Sequence, residues 1–271
     1  MCRGRKHIEE KTLHPEFPPQ RLGPKIASDT AKILDEAKIP NFVWEWIELA
    51  PIGLPRAHVE IQFIIPDIFL VKAATALTAA KLKICKAGPE CRQINDIPTS
   101  EPDMHFHHHP HPHEVISLMK QSSMAWKLDI TLESPAKNDP DFMLSNDPRF
   151  SGHSMLFSPI PSGMYPFKML TPARLTECYL LLLCRDVDIK TAVMLKNYLG
   201  HLLYIKKHVQ GPKWFTEEDI HPRFRPLWRE LDQETLSTIY DQVRKLRVEI
   251  GENGFKPSSG QEIKYLDRLL S

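Results

Sequence analysis

The stretch between Asn41 and Cys85 restricts the fold of this chain more than any other. A short apolar run from Phe42 to Trp46 passes through Pro51-Ile52-Gly53-Leu54-Pro55 into His58-Val59-Glu60-Ile61-Gln62-Phe63-Ile64-Ile65. Pro66-Asp67 then opens a helix. Val59, Ile61, Phe63 and Ile65 alternate with His58, Glu60 and Gln62, which is the period of a half-buried strand. His58, Glu60 and Gln62 therefore share the strand's polar face. That face lies either in solvent or along a cleft.

The rest of the chain can supply a core for such a strand. Its 271 residues are 42% hydrophobic and 25% charged, the balance of a globular protein. A formal charge of +1 excludes a strongly basic protein, so nucleic acid is not supported as a partner. Twenty-four prolines against eleven glycines favour stiff, ordered connections over flexible linkers. Met1 to Lys6 is basic but has no apolar segment behind it, so no signal peptide is visible. The longest apolar run, 178–184, is too short to span a bilayer. Five cysteines (Cys2, Cys85, Cys91, Cys178 and Cys184) make an odd count and no disulfide framework. The expectation is a cytoplasmic protein with no membrane association.

Turn chemistry and periodicity divide the chain into an extended tail (1–25), an α/β domain (26–166) and a helical domain (167–271). The first helix is expected to start with Ser28 as N-cap and to stop at Ile39-Pro40. Asp67 is placed to cap the next helix, whose Leu70, Ala74 and Leu77 recur at helical spacing. Residues 85–114 read as a loop rich in Cys, Pro and His. Strands are expected at 115–119 and 124–132, and a second loop over 133–166. Thr171-Pro172 is an N-cap followed by proline in the first turn. Helices are expected over 173–185, 190–208 and 234–250. In the last of these Leu236, Ile239, Tyr240, Val243 and Leu246 form the buried stripe, and Gly251 stands at the C-cap.

Cys85-x5-Cys91-x13-His105-x-His107 supplies two thiols and two imidazoles, the ligand set of a tetrahedral structural zinc. Alternation across Phe106 places His105 and His107 on one strand face. A loop poor in apolar residues gains order from a metal. The competing reading is solvated His/Pro-rich surface, which also contains His108, His109, His111 and His113. Cys178 and Cys184, six apart on an apolar helix, read as buried thiols. The basic residues of 206–229 are diluted by Glu217, Glu218, Asp219 and Glu230, so a mixed solvated surface is the expectation there.

The order of helix, short strand, turn with Gly53, polar-faced strand and helix, then a helical half, resembles the nucleotidyltransferase fold. It resembles in particular a group of uncharacterised fungal nucleotidyltransferase-like proteins. The similarity is carried by Ile39-Pro40 to Trp44-Glu45, by Phe63-Ile64-Ile65-Pro66-Asp67, and by Cys85, Cys91 and His105-Phe106-His107. It continues through Tyr165-Pro166 to Arg185-Asp186, and covers roughly residues 28–210. The resemblance implies an α/β (α+β) fold: a mixed sheet with helices, followed by a helical C-terminal half. Active members hold a triphosphate with a Gly-Ser pair and bind two Mg²⁺ ions with a strand Asp-x-Asp and a third carboxylate.

By that resemblance Glu60 stands at the first carboxylate, with Asp129 or Glu133 as candidates for a further acid. His58 and Gln62 fall at the ligand-facing positions beside Glu60. Gln62 takes the place of the second carboxylate, and Trp44-Glu45-Trp46 lies where Gly-Ser is expected. A neutral amide contributes oxygen without charge, which weakens two-metal and Mg-nucleotide binding. Three classes of function follow. The first is a pseudoenzyme or ligand-binding module with a degenerate site for a nucleotide or other small molecule. The second is an enzyme that still uses the cleft. The third is an interaction protein using the His-rich loop, with its protein partner unspecified.

Overall fold

The computed structural model describes residues 23–44, 60–87, 90–91, 101–108, 111–150, 163–188, 192–232, 235–251 and 254. The protein is a mixed α+β structure around a seven-stranded sheet. Its strands are β1 (Phe42–Trp44), β2 (Glu60–Ile65), β3 (Lys83–Ile84), β4 (Met104–His108), β5 (His111–Lys120), β6 (Phe142–Leu144) and β7 (Lys168–Leu170). They lie in the order β3-β4-β5-β2-β1-β7-β6. β2 runs parallel to β5 and β1 parallel to β7; the other neighbours are antiparallel. The described helices are α1 (Pro24–Glu36), α2 (Leu70–Ala79), α3 (Gln121–Met124), α4 (Pro172–Asp186), α5 (Ala192–His208), α6 (Arg225–Glu230) and α7 (Leu236–Ile250). Among the described residues no helix is long and apolar enough to cross a membrane.

β2 lies in the middle of the sheet and is buried on both faces. Only Glu60, at its start, is partly exposed, and Gln62 is 4% exposed. The polar alternation therefore points into the protein. Helix α4 provides the cover. Tyr179 packs on Trp44 with ring centroids 5.5 Å apart, and Trp44 is the register partner of Gln62. His201 of α5 stacks on Tyr179 at 5.0 Å. Nearly every residue of α4 is buried, because it contacts the sheet side through Tyr179 and also packs on α5 and α7. Cys178 and Cys184 are buried thiols on this helix, outside any disulfide, and burial pushes the Cys184 thiol up to about 12.

Local chemistry explains the helix ends. The Thr171 side chain accepts the N–H of Arg174 at 3.3 Å, with Pro172 in the first turn. Thr235 caps α7 in the same way at 3.4 Å, and Gly251 ends it with φ of 71°, a conformation glycine adopts without strain. Arg247 of α7 donates to the carbonyls of Cys184 at 3.4 Å and Arg185 at 2.7 Å, satisfying the C-terminal end of α4.

Several elements differ from the sequence expectation. The first helix starts at Pro24, with Gly23 rather than Ser28 as N-cap. Ser28 is buried inside the helix instead. Asp67 makes no cap: its carboxylate accepts the N–H of Ser122 at 3.1 Å and its hydroxyl at 2.6 Å, tying the start of α2 to α3. The expected loop over 85–114 contains all of β4 and the start of β5.

The expected strand over 124–132 is absent. Burial alternates through Trp126, Leu128 and Ile130, but their backbone joins no ladder. The chain takes one helical turn after β5 and then follows an irregular path with a turn at 126–127, where Trp126 Nε1 donates to the Gly254 carbonyl at 3.1 Å. Alternation there reports burial without pairing. Strand β6 lies within the expected loop 133–166, and β7 brings residues 168–170 into the same sheet. Leu236 is 46% exposed and leaves the α7 stripe to Ile239, Val243, Leu246 and Ile250.

Trp44 is the pivot between sheet and helices. Trp44→Ala is expected to destabilise the fold by about 3–5 kcal/mol in chemical denaturation.

Candidate metal centre

Strand β4 alternates His105, Phe106 and His107, and its pairing fixes where each side chain goes. Phe106 is fully buried, opposite Ile116 of β5 and Ile84 of β3. His105 and His107 therefore share the opposite face, with ring centroids 5.4 Å apart in an edge-on arrangement. β3 brings up the first thiol. Lys83 pairs with His107, and the N–H of Cys85 donates to the His105 carbonyl at 2.9 Å. Cys91 packs on Val115, the register partner of His107, and its Sγ lies 3.7 Å from His107 Nε2.

The four ligand atoms of Cys85, Cys91, His105 and His107 all lie within 4.8 Å of one another. A tetrahedral ion bonded at about 2.3 Å to sulfur and about 2.0 Å to nitrogen sets its S···N pairs roughly 3.5 Å apart. The 3.7 Å separation of Cys91 and His107 is close to that. Cys91 and His105 are buried, while Cys85 and His107 are half-buried, so the group has a dry side and a wet side. The donor set fits a borderline-soft divalent ion and fits Mg²⁺ poorly, since Mg²⁺ demands oxygen. Burial, with a smaller contribution from the charge of His107, lowers the pKa of His105 and favours the neutral ring that a metal requires.

The face that carries these ligands continues across the sheet. His105 is in register with Ser117 of β5, Ser117 with Gln62 of β2, and Gln62 with Trp44 of β1. One row away, His107 is in register with Val115 and Val115 with Glu60. Gln62 and His105 thus lie two strand spacings apart, roughly 10 Å. Gln62 Nε2 donates to Glu60 Oε2 at 2.9 Å. Where the resemblance places a carboxylate pair, the chain has a carboxylate held by an amide.

Neither candidate for the further acid stands on a strand of the sheet. β5 runs parallel to β2 and ends at Lys120, opposite Ile65, at the end of β2 away from Glu60. Asp129 follows from that end. It is exposed and lies in the irregular segment after α3, so it does not stand on a strand beside Glu60. Glu133 is exposed as well. Among the described residues, the Cys85, Cys91, His105 and His107 group is the one convergence of three or more metal-ligating side chains. His58 lies outside the described residues.

Sequence reasoning passed over Ser117. Its signal is slight, a single hydroxyl within the apolar run Val115-Ile116-Ser117-Leu118-Met119. Its position between His105 and Gln62 depends on strand pairing.

The lowered pKa of His105 has a signed consequence. In metal-free protein the unfolded chain binds more protons than the native one between the native midpoint and 6.5, so stability falls with acidification through that window. NMR titration of metal-free protein is expected to give a His105 midpoint below 6.5, and denaturant midpoints are expected to fall as pH drops through that range. A His105 midpoint at or above 6.5 contradicts this. Among known proteins, no family model, curated protein or solved structure matches this chain.

Proposed function

We propose that this chain is a zinc-holding, nucleotidyltransferase-like module in which the metal is structural and the two-metal transfer site is degenerate. The observation that carries the reading is the division of labour along one sheet face. At one end four N and S ligands converge within 4.8 Å, and at the other Glu60 is hydrogen-bonded by Gln62 where a second acid is needed. Two Mg²⁺ ions require several oxygen ligands with net negative charge, and one carboxylate with an amide does not supply them. The zinc, held by Cys85, Cys91, His105 and His107, supplies cross-linking between β3, β4 and the segment around Cys91. Glu60, half-buried at the start of β2, is the group left for a small polar ligand.

Zinc analysis of the purified protein is expected to give about one equivalent per chain, lost in Cys91→Ala. Because metal binding is linked to folding, free zinc at about 1,000 times Kd stabilises the fold by about 4 kcal/mol. Chelation is therefore expected to lower the melting temperature by several degrees. Protein without zinc, or unmoved by chelator, refutes the metal half of the proposal.

Calorimetric titration with Mg-nucleotides addresses the other half. Any binding is expected to be weakened by Glu60→Ala, and Mg²⁺-dependent nucleotidyl transfer is expected to be absent. Measured transfer abolished by Glu60→Ala would establish the chain as an active enzyme instead.

A further inference from the structure

Three buried polar atoms stand in one line across the sheet without a hydrogen-bond partner: His105 Nε2, Ser117 Oγ and Gln62 Oε1. They belong to adjacent strands in direct register, His105 opposite Ser117 and Ser117 opposite Gln62. Cross-strand neighbours of this kind have Cβ atoms about 4.5–5.5 Å apart, within reach of one another's polar ends. Beyond Gln62 the line continues through a formed hydrogen bond, Gln62 Nε2 to Glu60 Oε2 at 2.9 Å.

The geometry points to a side-chain relay that joins the metal centre to Glu60. In it His105 gives Nδ1 to the ion and Nε2–H to Ser117, Ser117 gives its hydroxyl proton to Gln62 Oε1, and Gln62 gives its amide proton to Glu60. This inference rests on the zinc reading above. Each group meets a complement. An imidazole bound through one nitrogen has an N–H on the other and needs an acceptor. A serine hydroxyl accepts and donates at once, and Ser117 can turn about χ1 to meet its neighbours. An amide is the side-chain group that accepts through oxygen on one side and donates through nitrogen on the other.

The relay also accounts for an amide at position 62. A carboxylate there would accept from Ser117 but, ionised, could donate nothing to Glu60. The register partner of His107 on β5 is the apolar Val115 rather than a hydroxyl. Of the two imidazoles, His105 is thus the one whose orientation and basicity are set from behind by a carboxylate, through two intermediates. Ser117 and Gln62 act as positioning residues for the metal.

The experiment uses the full chain loaded with zinc, and its first reading is the ligating nitrogen of His105 from ¹³C and ¹⁵N side-chain shifts. Ligation through Nδ1 is expected, with Nε2 protonated. Competition against a chromophoric chelator should show zinc affinity reduced about ten- to a hundredfold by Ser117→Ala and largely retained in Ser117→Thr. Gln62→Glu, nearly isosteric, should weaken zinc about tenfold and shift the visible bands of the cobalt-substituted protein. It serves as the second variant should Ser117→Ala fail to fold.

Ligation of His105 through Nε2 overturns the relay and leaves the zinc site standing. Wild-type zinc affinity in both Ser117→Ala and Gln62→Glu does the same. Failure of the wild-type chain to take up zinc overturns both the relay and the reading beneath it.

Discussion

The rest of this structure depends on the parallel pairing of β2 with β5. Six consecutive residues are in register, from Glu60 with Val115 to Ile65 with Lys120. Parallel strands need a long crossover, and here it contains α2, β3 and β4, with α1 packed against α2. A slip of one residue would reverse the faces of β2, moving Ile61 and Phe63 into the place of Glu60 and Gln62. The same slip would separate Gln62 from Ser117 and Glu60 from Val115. Hydrophobic burial therefore sets the register, and the polar line across the sheet follows from it.

The cost of that line shows how firmly the packing is imposed. A buried donor or acceptor left unmet costs about 1–3 kcal/mol, and His105, Ser117 and Gln62 each contribute one such atom. The surrounding core offsets this: Phe63, Phe106, Ile116 and Leu118 are fully buried, and each such side chain contributes about 1.5–3 kcal/mol by transfer from water. A protein can carry several unmet polar atoms when they lie together beside a site that takes a ligand. Scattered through the core, they would have no common remedy.

Much of the fold was legible because it depends on local chemistry. Thr171-Pro172 marks a helix start wherever it occurs, and Gly251 marks a helix end. The apolar positions of β2 and α7 report their period directly. The failures among the strands share one cause, that burial pattern does not reveal pairing. Residues 126–130 alternate in burial like a strand yet join no sheet, while β4 was hidden in a segment that composition labels as loop. Histidine-rich strands look like surface until their backbone partners are known.

The candidate site divides in the same way. The four candidate ligands could be chosen from residue type and the His-x-His alternation, because ligand chemistry restricts the choice to Cys and His. Asp129 could not be judged, since its place depends on where β5 ends and how α3 turns away. Ser117 was out of reach for the opposite reason: nothing in its neighbourhood is unusual until β4 and β2 are set on either side.

Both borders of the sheet are stubs. β3 has two residues and β6 has three, whereas β4 and β5 have five and ten. Open strand edges are templates on which another chain can add itself, and short edge strands blunt them. Beyond β3, Cys85 extends the cover by one more backbone hydrogen bond, to the His105 carbonyl. Cys85 and His105 are thus joined through the backbone, and both belong to the group that could hold a metal ion. That bond lengthens a border of only two residues and carries the cover of β4 one residue past β3.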